Sequence, residues 1–467
     1  MPAPASREQP SRGRASMLMP TERATLPDRR AVNAARSCAY RAVASLLLLA
    51  AARPAESYAQ APSMSLDAPG PSSVFRQELA LMDVTERQVV VVFELSHPMA
   101  VRVVFESDRS RREVVAPAVA RHEIVVDGLE PSTRYRYRLL RGIVELARGT
   151  MVTAPPHGDS PVRFIVYGDS RSGPSPHQRV IASSMDASPM FVLHLGDMVA
   201  AGVDEQEWLD FFRLGHPLFS RAPLFPVLGN HELLAAGRGI IQYEQRLRSA
   251  GDAQQPYYSF RYGSVFVLVL DSNVPWEPDD AQWRWAESTL EEAGSSATVR
   301  HVFAAIHHGP LSSGRHGEHE ELVASGAREM LAEGGVSLIF SGHDHHYERG
   351  ELDGLKYIVS GGGGSPLYLV NRYEPYQRAF EVTHHHVRVE VAGDRVSVEA
   401  RRANGTVIER CSFEPGFEWD CGARGAVGKR GGVDPTFFGF ATYGPFAIPL
   451  VVFLLAALWL LRRSRRA

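Results

Sequence analysis

Five short polar motifs each follow an apolar, strand-like stretch. They are Gly168-Asp169-Ser170-Arg171, Gly196-Asp197-Met198-Val199, Gly229-Asn230-His231-Glu232, His307-His308-Gly309-Pro310 and Gly342-His343-Asp344-His345-His346-Tyr347-Glu348-Arg349. Asp, Asn and His supply oxygen and nitrogen donors suited to ions such as Zn, Mn or Fe. No cysteine lies among them, which excludes a thiolate-type structural zinc site. Glycine beside the polar residues permits the tight turns that would gather several strand ends at one place. A carboxylate shared by two ions lowers their repulsion and can hold them roughly 3.5–4 Å apart. Such a pair polarises a phosphoryl oxygen and lowers the pKa of bound water. A lone Gly-Asp is commonly a turn; five motifs in this order point to a single site.

The elements that must position them read as α/β. The spacing predicts strands at Val162–Tyr167, Phe191–Leu195, Leu224–Val227, Val265–Leu270, His301–Ile306 and Ser337–Phe340. It predicts helices over Pro176–Met185, Glu205–Leu214, Ala281–Ala293 and Leu322–Glu333. Strands alternating with crossovers place function at the carboxyl ends of strands, where the motifs sit. Residues 75–155 instead read as all-β, with β-branched runs at Gln88–Glu94, Ala100–Glu106, His122–Val126 and Tyr135–Leu140. Pro/Ser/Gly-rich 62–74 is a linker, and residues 160–400 are the expected catalytic domain. A C-terminal extension at 401–434 carries Cys411 and Cys421.

The ends differ from the body. Residues 1–61 form a basic leader followed by an apolar run, Ala42–Ala52, and Ala59-Gln60-Ala61, the pattern of a secretory signal peptide. An uncleaved membrane anchor is the alternative. Residues 435–461 hold no charge and end at Arg462, Arg463, Arg465 and Arg466, which predicts a transmembrane helix with a basic cytoplasmic tail at 462–467. The same tail resembles the processed sorting signals of bacterial surface proteins. Both ends place the body outside the cytoplasm, periplasmic or at the cell surface. A Cys411–Cys421 disulfide suits that compartment, with free thiols as the alternative. Residues 62–461 hold 37 basic and 49 acidic residues, which argues against a nucleic-acid backbone as partner.

The order of the five motifs resembles the calcineurin-like metallophosphoesterase superfamily. G-N-H-E and G-H-x-H-x-Y-E-R are most similar to purple acid phosphatases, supported by Tyr257-Tyr258-Ser259-Phe260 and Leu270-Asp271-Ser272. The resemblance covers about 160–395 and implies a four-layer α/β/β/α fold. Gly128-Leu129-Glu130-Pro131-Ser132-Thr133-Arg134-Tyr135 resembles the corner of fibronectin type III sandwiches, which would precede the catalytic domain. The resemblance implies two divalent or trivalent ions (Fe, Zn or Mn). Asp169 and His345 would bind the first, Asp197 would bridge, and Asn230, His343 and His307 would bind the second. His308 is the alternative to His307, because its spacing to Pro310 matches the family. His231 would face substrate as phosphate stabiliser or proton donor, and His316 would be a further substrate-facing histidine. The first motif of this superfamily usually reads D-x-H, and purple acid phosphatases place a Tyr three residues after the bridging Asp. Here those positions are Arg171 and Ala200. Arg171 stays protonated and cannot be a ligand. It would grip a phosphate, or pair with an acid such as Asp169 and mark a decayed site.

The implied function is metal-dependent hydrolysis of phosphate esters by metal-activated hydroxide, monoesters ahead of diesters. The alternative is a non-catalytic surface module that binds a partner or phosphorylated ligand through a degenerate metal site. Other residues read as structural: His384-His385-His386 as surface or edge histidines, His194 as packed inside, and Trp276, Trp283 and Trp285 as core or helix faces. His319 reads as part of a solvated acidic stretch, and Gly361–Gly364 as a tight loop near the site.

Overall fold

The computed structural model describes residues 74–158, 160–247, 255–367 and 373–422, and the backbone of 432–433. The chain divides into Met1–Gly70 and Pro71–Ala467, and all described residues lie in the second part. The expected signal peptide and the transmembrane segment at 435–461 lie outside the described residues. Among the described residues, no helix is long and apolar enough to cross a membrane.

Five strands open the described chain: β1 (Phe75–Met82), β2 (Gln88–Glu106), β3 (Arg111–Asp127), β4 (Arg134–Arg141) and β5 (Val144–Val152). The runs Gln88–Glu94 and Ala100–Glu106 belong to one long β2 whose register shifts near Met99. Its first half pairs with β1 and the end of β3; its second half pairs with β4 and the start of β3. Alternate side chains such as Val91, Phe93, Val103, Phe105, Tyr135 and Tyr137 turn into one apolar interior. Tyr135 makes the corner its sequence suggests. Its hydroxyl accepts the Glu130 N–H at 2.9 Å and lies 2.7 Å from Ser110 Oγ.

The remaining elements, in chain order, are β6 (Val162–Tyr167), α1 (Pro174–Met185), β7 (Phe191–His194), α2 (Glu205–Phe219), β8 (Leu224–Pro226), α3 (Ile240–Arg246), β9 (Tyr258–Tyr262) and β10 (Val265–Leu270). They continue with α4 (Ala281–Ser295), β11 (His301–Ile306), α5 (Glu320–Ala324), α6 (Ala327–Glu333), β12 (Val336–Ser341), β13 (Tyr347–Leu352) and β14 (Leu355–Ser360). The last are β15 (Gln377–Val382), β16 (His385–Ala392), β17 (Arg395–Arg402), β18 (Val407–Phe413) and β19 (Gly432–Val433). One sheet runs β18-β17-β16-β6-β7-β8 and continues through β1 into the first five strands; the other runs β19-β15-β13-β14-β12-β11-β10-β9. The two sheets pack face to face through Phe164, Phe191, Phe225, Phe260, Phe303 and Phe340. Phe164 stacks on Phe191 with centroids 4.5 Å apart. Trp208, Phe211 and Phe212 of α2 join Val180 and Ile181 of α1 on the outer face of the first sheet. Trp283 and Leu290 of α4 join Leu331 of α6 on the outer face of the second, so the layers are α/β/β/α.

Tertiary contacts shift several expected boundaries. α2 continues past Gly215 and Pro217 to Phe219, because Gly215 makes room for the Phe219 ring one turn on. The helix expected over Leu322–Glu333 breaks at Gly326, which sits at φ 80°. The expected boundary at residue 400 falls inside β17, and β18 pairs beside it, so residues 401–413 continue the sheet that holds β6, β7 and β8. Cys411 and Cys421 form a disulfide. The segment Phe380–Val391 is two strands in different sheets, β15 and β16. That crossing buries His385 and His386 rather than leaving them at an edge. His194, Trp276 and Trp283 are buried as expected.

Desolvation holds the buried imidazoles of His177, His385 and His386 down to about 3, and that of His194 well below its usual range. An unfolded histidine titrates near 6.5, so between about pH 3 and 6.5 the unfolded chain binds more protons than the folded one. Stability is therefore complete above pH 6.5 and falls as the solution is acidified. His386→Met, which removes two buried ring nitrogens without partners, should flatten this slope by up to ~1.4 kcal/mol per pH unit. Urea unfolding of wild type and variant from pH 7 to 5 checks it; parallel slopes would contradict it.

Candidate metal centre

Strands β6, β7 and β8 run parallel, with Tyr167 beside His194 and His194 beside Pro226. The first three motifs therefore leave the sheet along one edge. In the second sheet Leu270, Ile306 and Ser341 end in line, so Asp271, His307 and Gly342 leave along a single edge as well. Gly168 N–H donates to Ser360 O at 2.8 Å, and Gly342 N–H donates to His307 O at 3.1 Å. His343 N–H donates to Asp169 Oδ2 at 2.9 Å, joining the two edges. Asp169, Asp197 and His343 sit at φ 58°, 55° and 66°. Such left-handed backbone costs of order 1–3 kcal/mol at a non-glycine residue and persists where surrounding structure enforces it. Gly196 and Gly342 are required by close approach: a Cβ there would lie 2.7 Å from His307 Nδ1 and 2.7 Å from Asp169 Oδ2 respectively.

Two groups of donors result. Asp169, Asp197 and His345 offer ligand atoms all within 4.8 Å of one another, and so do His307, His308 and His343. The tautomers are set from behind. His307 Nδ1 donates to Leu195 O at 2.7 Å, His345 Nδ1 to Pro366 O at 2.8 Å, and His231 Nδ1 to Ala200 O at 2.7 Å. Each Nε2 is thus left as a lone pair facing the site. His307 Nε2 faces Asn230 Oδ1 at 3.1 Å and Asp197 Oδ1 at 3.3 Å. His345 Nε2 faces Asp169 Oδ1 at 3.4 Å, and that buried oxygen has no hydrogen-bond partner. Acceptors facing acceptors call for a cation between them, so the residues fit a metal in both groups. Without one, a proton can take the place. Burial opposes a charge on His307, but Asp197 and Asp169 outweigh it and raise its pKa.

Asp197 stands between the groups. Its Oδ1 faces His307 and accepts the His231 N–H at 3.1 Å; its Oδ2 accepts Arg171 Nε at 3.0 Å and lies 3.8 Å from His231 Nε2. Burial opposes its ionisation, but His307, His231 and Arg171 hold the carboxyl below its usual range. Arg171 thus pairs with Asp197 rather than with Asp169. His307 is the histidine that meets Asn230 and Asp197. His308 Nδ1 lies 2.7 Å from Ser272 Oγ, and its ring centroid lies 4.1 Å from that of His343. The His316 ring lies 4.3 Å from that of His343. His319 packs 5.3 Å from His308 and is only partly exposed, so it edges the site instead of lying in a solvated stretch. Gly361–Gly364 lies against the site as expected: Gly363 N–H donates to Gly168 O, and Ser365 N–H to Asp169 O.

Glu232 stands in the third motif without a role that its sequence context assigns. It is fully buried. Oε1 accepts Met198 N–H at 2.8 Å and Val199 N–H at 3.3 Å; Oε2 accepts Asp197 N–H at 2.9 Å and Gly229 N–H at 2.8 Å. One carboxylate thereby clamps the second and third motifs together. Burial and Asp197 push it up to about 7, against His307 and the backbone donors that favour its charge. Glu348 does similar work, accepting Ser313 N–H and Oγ–H and the Tyr357 hydroxyl. Nothing local marks either acid, since Glu232 follows Asn230-His231 and Glu348 sits between Tyr347 and Arg349, both in polar motifs; only the converging donors show that each buries its charge. Glu232→Gln should weaken metal binding by about 10–100-fold, because one pair of N–H groups would meet an amide N–H₂. A metal titration checks this, and unchanged affinity would contradict the clamp.

Residues 163–347 match the calcineurin-like phosphoesterase family model. Probable purple acid phosphatase 20 of Arabidopsis thaliana is 29% identical over 272 residues, 54% of this chain and 62% of that protein. Purple acid phosphatase 23 of the same plant is 27% identical over 288 residues, 52% of this chain and 62% of that protein. The match thus spans less than two thirds of these relatives. The purple acid phosphatase from yellow lupin (Lupinus luteus) seeds shares the fold with TM-score 0.62 at 17% identity, over 73% of this chain and 74% of its own. PhoD does so with TM-score 0.61 at 15% identity, over 82% and 98%.

Proposed function

We propose, from the calcineurin-like phosphoesterase domain at residues 163–347, that this protein is a metal-dependent phosphate-ester hydrolase acting on phosphomonoesters ahead of phosphodiesters. The observation that carries the reading is the pair of lone-pair clusters hinged on Asp197. Asp169, Asp197 and His345 would hold a first ion; Asp197, Asn230, His307 and His343 would hold a second. When bound, the ions would supply Lewis acidity and a lowered pKa for water. His231, with Nδ1 tied to Ala200 O, is oriented so that its doubly protonated, imidazolium form would give the Nε2 proton to the departing alcohol. Arg171 spends Nε on Asp197 and keeps its two terminal nitrogens for a phosphoryl group, which planar guanidinium binds well. His316 lines the substrate side next to His343.

Residues 75–155 are read as a fibronectin type III-like domain that buttresses the catalytic sheets, and the body as extracytoplasmic, tethered by residues 435–461. The disulfide supports an oxidising compartment. The Arg171–Asp197 pair favours one alternative, a binding module in which the guanidinium takes the place of the first ion. Elemental analysis of the purified full chain separates the two. Two equivalents with turnover of a phosphomonoester support the hydrolase; one or none, without turnover, supports the module.

A further inference from the structure

Arg134 begins β4, Arg163 lies in β6 and Arg221 follows α2, yet all three line one cavity of about 380 Å³. The cavity sits at the seam between the first five strands and the catalytic sheet, with Met185, Met190 and Leu218 among its apolar walls and no carboxylate in its lining. Arg163 Nε donates to Ser188 O at 3.4 Å. None of the three guanidinium groups forms an ion pair with a carboxylate among the described residues. Like charges gathered from three separate segments repel one another unless an anion sits between them. Guanidinium forks suit the oxygens of phosphate or sulfate, and the volume suits a small molecule.

The cavity opens at the amino-terminal ends of the strands: Arg163 is the second residue of β6, and Met190 immediately precedes β7. The metal centre lies at their carboxyl ends, so the length of a six-residue strand, roughly 20 Å, separates the two. We propose that Arg134, Arg163 and Arg221 form a second anion site, for a small phosphorylated or sulfated molecule with an apolar part, distinct from the metal centre. It stands whether or not the metal centre is catalytic.

The test is equilibrium binding of inorganic phosphate to the metal-loaded full chain at fixed ionic strength, for wild type and the Arg134→Ala/Arg221→Ala variant. Both residues are exposed, so the variant should fold; a thermal unfolding midpoint within a few degrees of wild type checks this. Wild type should bind one more phosphate per chain than the variant, or bind it at least tenfold more tightly, with any turnover unchanged. The single variant Arg221→Lys, which keeps charge but loses the fork, should fall between. Equal stoichiometry and affinity in wild type and double variant would overturn the site. So would a phosphate gain that chloride at the same ionic strength reproduces.

Discussion

Replacing Asp197 with alanine should empty both halves of the metal centre and reduce turnover at least a thousandfold. The expectation follows from its position. Asp197 Oδ1 faces His307 and Oδ2 holds Arg171, while the carboxylate also offers a ligand atom within 4.8 Å of those of Asp169 and His345. Removing it leaves Arg171 without its carboxylate and His307 without the charge that sustains it, so the positive groups are no longer balanced. It also removes the acceptor for His231 N–H, loosening the third motif. The fold should survive, because the side chain lies at a strand end and the aromatic core between the sheets is untouched. Metal content and thermal unfolding measured together check this. A folded variant that keeps two ions per chain would show that Asp197 does not bridge.

His231→Ala should behave in the opposite way with respect to metal. Its Nδ1 is used on Ala200 O, and its Nε2 is 3.8 Å from Asp197 Oδ2, farther than the 3.3 Å between His307 and Asp197 Oδ1. It stands beside the donor clusters without completing either. The variant should therefore keep its ions and lose about 10²–10⁴ in kcat, the usual contribution of a positioned general acid. The loss should be smallest for esters with good leaving groups, which need no proton to depart. Kinetics on a nitrophenyl ester and an alkyl phosphate, with metal content measured on the same samples, check the assignment. An equal loss on both esters would leave His231 as a phosphate stabiliser; no loss on either would remove it from the chemistry.

The residue types of the candidate donors were legible in the chain. Asp169, Asp197, Asn230, His307, His343 and His345 each follow an apolar run of strand length, and side-chain type limits what such residues can bind. The strands β6, β10 and β11 were legible to the residue, because hydrophobic patterning is a local property of a short window. The tyrosine corner was legible for the same reason, since Glu130 and Tyr135 are near neighbours in the chain.

Other features depend on partners far apart in the chain. His307 rather than His308 faces Asn230 because Leu195 O, 112 residues away, takes the proton of its Nδ1. Arg171 meets Asp197 instead of Asp169 because β6 and β7 lie in parallel register and bring the two loops together. Glu232 became a clamp when four backbone N–H groups from two loops converged on it, and His385 and His386 became buried when the chain crossed from one sheet to the other. A local pattern states which backbone periodicity a segment prefers and which atoms it carries. It does not state which distant carbonyl or amide will fill a lone pair, and in this protein that choice sets the tautomers, the charge pairing and the arrangement of the candidate ligands.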